Sequence, residues 1–587
     1  MKYPLFTLVK AVTYIAFLCI LTTGITQAQQ YFSAEKTFAV KLGSTKPLHQ
    51  YMVMEPTDSM KLKTLKLNKP KVIPNFGGRR HLEKRADNAL PVGADPLFNS
   101  ASTRGLLNEI IPTVNFEGLN ESNAFTSPPD VNGEMGKDFY VEIVNASRFR
   151  IYDRTGNPLS NPISTNAIWS QVAQSSSGDP ILLYDQSVDR WILTEINFNN
   201  RMLIAVSLTG DPRGAWDAYA FQAPSLPDYP KYGIWHDAYY LTTNESGIDY
   251  PIYAFNRADL LAGATDVRMQ RLTAPKNFGI FFEIGQPVDW DGSTPPPPGS
   301  PGLMVKLHDD DWGTTIQDHI VLHKIRIDWQ NAANSNVELI EIPTAPFDSE
   351  ACSLTSTGGF SCIPQPNQQG IDGVPWVIMN KAQYRNFGTH ESFVLCFMVD
   401  ITGDAHAGIR WMEFRKTDLQ DWHVYQEGTI GENDGIHRFM GSIAIDASGN
   451  IGIAYSASGY DKHPSLRYTG RYASDPLGTM TFEEYEFGTG AGSINFDRFG
   501  DYASMTVDPA DEHAFWFAGE YILQNGDWST RIVSFLAKRD TFDIFPITLI
   551  SPKTGAQLGN NEPVSVCVLN RGLNTVHGFS VAYKFEG

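Results

Sequence analysis

Apolar positions along this chain fall in short runs that alternate with polar ones and stop at Asp, Asn, Gly or Pro. That alternation, with a period near two, predicts half-buried β-strands. Helical spacing is nearly absent. The best stretch, NRADLLAGA at 256–264, allows about two turns.

Between about 105 and 540 one phrase recurs. A polar or Asp start leads into an apolar strand, a tight turn containing Asp, and an aromatic-rich strand. GDPILLYDQSVDRWILTEI at 178–196 has it, with Asp185 to Asp189 as the turn. GSIAIDASGNIGIAYSAS at 441–458 repeats it, as do DYPKYGIWHDAYYLTTNE at 228–245 and DVNGEMGKDFYVEIVN at 130–145. RFGDYASMTVDPADEHAFWFAGEY at 498–521 is the last and most aromatic copy. In each, Asp, Asn, Gly and Pro supply the bend between two strands.

Units of this kind begin near 125, 177, 228, 286, 376, 437 and 498. A period near 50 residues with four short strands per unit predicts a β-propeller. The count gives seven blades, and the weakness of the repeats leaves six or eight open. A single β-sandwich is the competing all-β fold, but more than 400 residues is too long for one. The long interval from 286 to 376 holds two insertions, DWDGSTPPPPGSPG and CSLTSTGGFSC. The propeller is therefore expected over 105–545. The remainder, 546–587, alternates strands with Gly, Asn and Pro and reads as an incomplete immunoglobulin-like sandwich.

Composition agrees with this pattern. Aromatics make up 12% of the 587 residues, with 49 glycines and 36 prolines. The net charge of −19 is unevenly spread, because 31–95 carries 12 Lys/Arg against 6 Asp/Glu. The acidic body should repel nucleic acid and anionic membrane surfaces. Residues 29–104 form either a basic pro-segment or a solvated linker. At the N-terminus, Lys2 and Lys10 flank the early part of an apolar run, AVTYIAFLCILTTGI, and Thr26 and Ala28 precede Gln29. This reads as a signal peptide over 1–28, too short for a membrane span, so the chain is expected to be secreted or held at the cell surface. In an oxidising compartment Cys352 and Cys362 are the expected disulfide. Cys396 and Cys567 lie in apolar strands and are expected to be buried free thiols.

Several motifs carry a resemblance. SPPDVNG, GDPILLYDQSVDRW, DYPKYGIWHDAYYLTTNE, RFMGSIAIDASGNIGIAYSAS, HPSLRYTGR and RFGDYASMTVDP resemble a group of large secreted bacterial β-propeller proteins of sialidase-like build. The likeness covers about 110–540. Phe439 and Phe499 stand where that group tends to have Trp. Residues 546–587 resemble a cell-adhesion-related immunoglobulin-like domain. Such proteins often end in a sorting domain for an outer-membrane secretion system, and that machinery is an expected partner. The resemblance implies a fold and a location, but no reaction.

Candidate chemistry begins with the Asp residues that open the units, among them Asp446 and Asp508. In a propeller the loops before the innermost strands face the central channel. The ligand-binding candidates at that mouth are Asp130, Asp179, Asp228, Arg438, Arg498, Asp501 and Tyr502. Their alternative role is to accept backbone N–H groups and tie turns. The densest carboxylate groups, Asp289 with Asp291 and Asp309 with Asp310 and Asp311, are candidates for Ca²⁺, although no complete calcium-loop pattern is present. No other cofactor is expected. G-x-S-x-G, H-E-x-x-H and the sialidase blade signature are all missing. Arg385, Arg410, Arg467 and Arg471, with Glu391, Glu413, Glu427 and Glu520, form either a sugar-acid site or structural ion pairs. Trp191, Trp216, Trp235, Trp411, Trp422, Trp516 and Trp528 read as packing residues rather than sugar platforms. The favoured function is an exported propeller that binds extracellular glycan or protein. The alternative is a carbohydrate-active hydrolase or lyase with its site at the channel mouth.

Overall fold

A computed structural model describes residues 35–52, 95–98, 110–145, 147–246, 249–275, 284–310, 317–349, 361–538, 544–552, 563–570 and 575–579. It is nearly all β. The expected helix is a single short one, Arg257–Leu261, capped by the Asn256 side chain, which accepts from Asp259 N–H.

Seven four-stranded blades account for most strands. Their innermost strands are Asn132–Met135, Gly178–Asp185, Asp228–Ile234, Gln286–Trp290, Ala382–Asn386, Ile436–Ile445 and Ser504–Val507. Each innermost strand touches that of the next blade, and the seventh touches the first, so the ring closes. The closing strand, Pro112–Asn120, comes from the N-terminal side and pairs antiparallel with Trp528–Leu536 as the outer strand of blade 7. The protein is a seven-bladed β-propeller, matching the repeat count.

Neighbouring innermost strands stand side by side with little ladder pairing, so side chains make the joints. Asn132 accepts from Leu182 N–H, Asp179 from Tyr229 N–H, and Asp289 from Ile234 N–H. Blades 4 and 5 join through parallel pairing of Val288–Trp290 with Ala382–Tyr384. Gln383 accepts from Ile445 N–H, Ser442 accepts from Met505 N–H, and Ser504 donates to the Gly133 carbonyl. Each bond satisfies a backbone group that the propeller core would otherwise bury unpaired.

Aromatic packing fills the spaces around these joints. All seven Trp residues expected to pack are buried. Phe515, Trp516 and Phe517 in the last aromatic strand are buried too. Each such side chain contributes roughly 1.5–3 kcal/mol.

Within 29–104, two described pieces lie against blades. Strand Glu35–Ser44 inserts between the outer strands of blades 2 and 3, joining them into one nine-stranded sheet. Lys41 pairs with Asp217 at 2.6 Å, and Leu48 is wholly buried. Further on, Asp95 N–H donates to the Ile401 carbonyl, and its carboxylate meets buried Arg410 at 2.7 Å.

Cys362 is disulfide-bonded; its expected partner Cys352 lies outside the described residues, as do the signal peptide and Asp311. Cys396 is a buried free thiol, whereas Cys567 is free but only half-buried. In the C-terminal segment, Ile544–Ser551 pairs antiparallel with Ser565–Asn570. No helix among the described residues is long and apolar enough to cross a membrane.

Candidate functional site at the channel mouth

The loops that open the innermost strands share a local conformation. Asp130, Asp179, Tyr229, Met440 and Asp501 have φ between 45° and 63°. This left-handed turn comes at low cost for Asp, whose short side chain bonds locally. In blades 2, 3 and 6 the same place carries a β-bulge, between Gly178 and Ile181, Asp228 and Lys231, and Phe439 and Ser442. A bulge re-aims the side chains beside it. Pro230, which has no N–H to give to a ladder, suits that position.

The bulge in blade 3 places Lys231 inside a ring of acids. Its Nζ sits 4.0 Å from the Tyr229 ring centre and 3.9 Å from that of Tyr502. Tyr229 and Tyr502 meet edge to face at 5.8 Å, and the Tyr229 hydroxyl donates to the Asp501 carbonyl at 2.9 Å. Lys231 is 1% exposed, and its Nζ has no hydrogen-bond partner among the described residues. Burial pushes its ammonium down to about 7, against the pull of Asp501, Asp130 and Asp179.

Five carboxylates surround this lysine and Arg498. Asp130 accepts from Asn145 Nδ2 at 2.8 Å through one oxygen; the other oxygen, Oδ1, is buried and unpartnered among the described residues. Asp179 accepts from Tyr229 N–H at 3.1 Å, Asp372 from Val374 N–H at 2.8 Å, and Asp501 from Arg498. Asp228 completes the group beside Asp179 and Asp501. Burial raises Asp130 well above the usual carboxylate range, Asp179 and Asp372 to about 6, and Asp228 to about 7. The acids add to this by repelling one another. Glu520 lies just behind, accepting from Gly500 N–H at 2.6 Å, and burial raises it too.

Six of the seven ligand candidates thus converge: Asp130, Asp179, Asp228, Arg498, Asp501 and Tyr502. Arg438 does not join them. It is buried in blade 6, bonded to Glu484 at 2.6 Å and Asp434 at 3.1 Å. The sequence reading missed Lys231, Tyr229 and Asp372. A Lys within the apolar run of DYPKYGIW was the available signal for the first two.

A second polar group lies on the same inner strands. Lys381 Nζ bonds Glu134 at 2.7 Å and Asp289 at 2.6 Å, all three buried. Glu134 is four residues beyond Asp130, roughly 13 Å along a strand. Asp291 accepts from Gly292 N–H at 2.9 Å and from the Gln383 side-chain amide. The oxygens of Asp289 and Asp291 are therefore engaged by protein donors, a use that competes with a metal. Asp309, Asp310 and Asp318 bring carboxylate oxygens within 4.8 Å of one another. Asp309 accepts from Ser349 N–H and hydroxyl, and Asp318 from the N–H groups of Asp310 and Phe347.

The other acids and arginines serve turns and pairs. Asp446 accepts from Ser448 and Asn450 N–H, both at 2.8 Å, and Asp508 accepts from Ala510 N–H at 2.9 Å. Arg385 pairs with Glu512, Arg410 with Asp95 and Glu427, and Arg467 with Glu484 and Glu486. Glu391 holds Lys416, and Glu413 holds Arg415. Arg471 bonds the Gln426 side chain.

No family model matches the chain, and neither does any curated protein. Among solved structures it is similar to the WD40 domain of SCAP from fission yeast, at 8% identity and a TM-score of 0.32, over 72% of this chain and 98% of that one. It is also similar to an ulvan lyase of a polysaccharide lyase family, at 11% identity and a TM-score of 0.26, over 80% and 93%. A third likeness is to an α-L-arabinofuranosidase of Fusarium graminearum, at 10% identity and a TM-score of 0.24, over 60% and 91%. The propeller architecture itself rests on the closed ring of seven four-stranded blades described above.

Proposed function

We propose that this protein is an exported propeller that binds an extracellular glycan, or a protein ligand, at its channel mouth. The observation that carries this reading is the pair of buried groups, Lys231 Nζ and Asp130 Oδ1, unpartnered among the described residues and inside one acidic, tyrosine-walled cluster. Leaving such groups unsatisfied costs about 1–3 kcal/mol each, and more when charged. A bound polyol offers both a donor and an acceptor to satisfy them. The absence of a complete nucleophile or metalloprotease motif from the sequence favours binding over turnover.

One observation favours the alternative, a carbohydrate-active lyase or hydrolase. Lys231 and Asp228 both titrate near 7, where an amine and a carboxyl exchange protons readily. A glycan array followed by a turnover screen on the same glycans separates the two. Binding without product, lost in Lys231→Met and Asp130→Asn, supports the first reading. Product formation that these variants abolish replaces it with the second. A calcium role for Asp309, Asp310 and Asp318 is tested separately, by whether a chelator lowers the melting temperature.

A further inference from the structure

We propose that the notch between blades 5 and 6, on the same face as the channel mouth, is a second binding site, built for the hydroxyls of a neutral sugar. Topology fixes the face. The turn 401–406 links the second and third strands of blade 5, and 431–435 leads into the innermost strand of blade 6. Both therefore lie at the end where innermost strands begin. The cavity measures about 460 Å³, and Phe98, Thr402, Asp404, His406, Asn433 and His437 are among its lining residues. Sites for small ligands span roughly 300–1,000 Å³.

The walls are held in place before any ligand arrives. Asp400 gathers the turn by accepting from the N–H groups of Thr402, Gly403, Ala405 and His406, at 3.0, 3.0, 2.7 and 3.1 Å. Phe98 is fixed through its N–H to the Asp95 carbonyl at 3.0 Å, and Asp95 is locked to Arg410. A preformed wall lowers the ordering cost of binding.

Hydrogen bonding then fixes what the two histidines present. His406 Nε2 lies 3.0 Å from the Ile436 carbonyl, so in the neutral ring it carries the proton and donates, leaving Nδ1 a bare acceptor. His437 Nδ1 receives Ala407 N–H at 3.2 Å, so its proton sits on Nε2, a donor. Neither His406 Nδ1 nor His437 Nε2 has a partner among the described residues. The rings stack at 4.5 Å and 11°. An acceptor and a donor thus stand side by side, which matches a hydroxyl, a group that is both.

The same facts exclude other ligand classes. A metal held by both rings needs two bare nitrogens, and His437 offers a protonated one. Burial, with His406 and Arg438 adding to it, pushes His437 down to about 4, so at neutral pH it brings no positive charge to attract an anion. Arg438 is spent on Glu484 and Asp434, and Asp404 repels an anion further. Phe98 supplies an apolar surface of the kind that covers the C–H face of a sugar ring.

The test is saturation-transfer NMR on the full chain with lactose, cellobiose and methyl α-mannoside, and with methyl glucuronate as the anionic probe. At least one neutral sugar should bind saturably. Asp404→Ala and Asn433→Ala, both at exposed positions, should each weaken it about tenfold at unchanged melting temperature. Lys231→Met should leave this binding intact, which separates it from the channel-mouth site. No saturable signal at about 10 mM, preference for the glucuronate, or binding indifferent to both notch variants overturns the proposal.

Discussion

Two buried lysines stand at the starts of innermost strands, in blades 3 and 5, and their electrostatic states are opposite. Lys381 touches two carboxylates within hydrogen-bond distance, and Asp289, Glu134 and Asp291 together outweigh the cost of burying its charge, so its affinity for the proton rises. Lys231 also has three carboxylates acting on it, Asp501, Asp130 and Asp179, but none is in hydrogen-bond contact among the described residues, and burial wins. The lesson is that direct pairing, not the number of nearby opposite charges, decides whether a buried ammonium stays charged. Coulomb energy falls with distance, whereas the desolvation cost is complete once water is excluded. Lys381 is thereby a structural joint, whereas Lys231 Nζ has no hydrogen-bond partner among the described residues.

The largest effect that would sharpen this contrast is expected from Lys381→Met. It strands Glu134 and Asp289 as uncompensated buried acids and should cost about 3–5 kcal/mol. Denaturant titration gives the number, and a loss below about 1 kcal/mol breaks the comparison. Glu134→Gln comes next. It keeps shape and one acceptor while Lys381 retains Asp289, so a loss of about 1–3 kcal/mol is expected by the same measurement.

The third test uses pH. Asp228 holds its proton up to about 7 in the fold, against an ordinary value of 3.8. Folded protein thus binds this proton more tightly than unfolded chain across that window. The stability Asp228 contributes is present at acid pH and lost as pH rises through about 7. Asp228→Asn stays neutral throughout, so its melting temperature should gain on the parent between about pH 5 and about pH 8. A constant difference across that range removes Asp228 from the titrating group. The smallest stability change is expected for Lys231→Met, neutral or stabilising by about 1 kcal/mol, because an apolar chain of similar length replaces a poorly solvated amine. If it destabilises as much as Lys381→Met, both lysines are structural joints.

Much of the fold was readable from the strand-turn phrases. In blades 2, 3, 4 and 6 the innermost strand begins within one residue of the expected unit start, and in blades 1, 5 and 7 six or seven residues after it, because turn chemistry and alternation are local. DASGN and DPADEH are turns tied by Asp446 and Asp508, as their residues imply. The Trp residues pack, as their setting among apolar strands implies. The strand Glu35–Ser44 was harder to read. Its partners, Trp216–Gln222 and Asp266–Pro275, lie far along the chain, and nothing local marks a strand that completes two distant blades.

The candidate site divides in the same way. Asp130, Asp179, Asp228, Arg498, Asp501 and Tyr502 were named from their places at unit starts, and the ring of blades brings them together. Arg438 has an equivalent place in sequence but turns to Glu484, 46 residues away. His406 and His437 carry no motif, and their tautomers depend on carbonyl and N–H groups that packing supplies.

The sequence by itself determined the all-β class and a propeller-like repeat, and it named Asp130, Asp179, Asp228, Arg498, Asp501 and Tyr502, which the fold brings together. Those follow from spacing, and spacing is linear. Tertiary structure alone decided which lysine is paired, which acids hold protons near neutrality, and which nitrogen of His406 and of His437 is hydrogen-bonded. Those properties depend on distance through space and on exclusion of water, and neither is written along the chain.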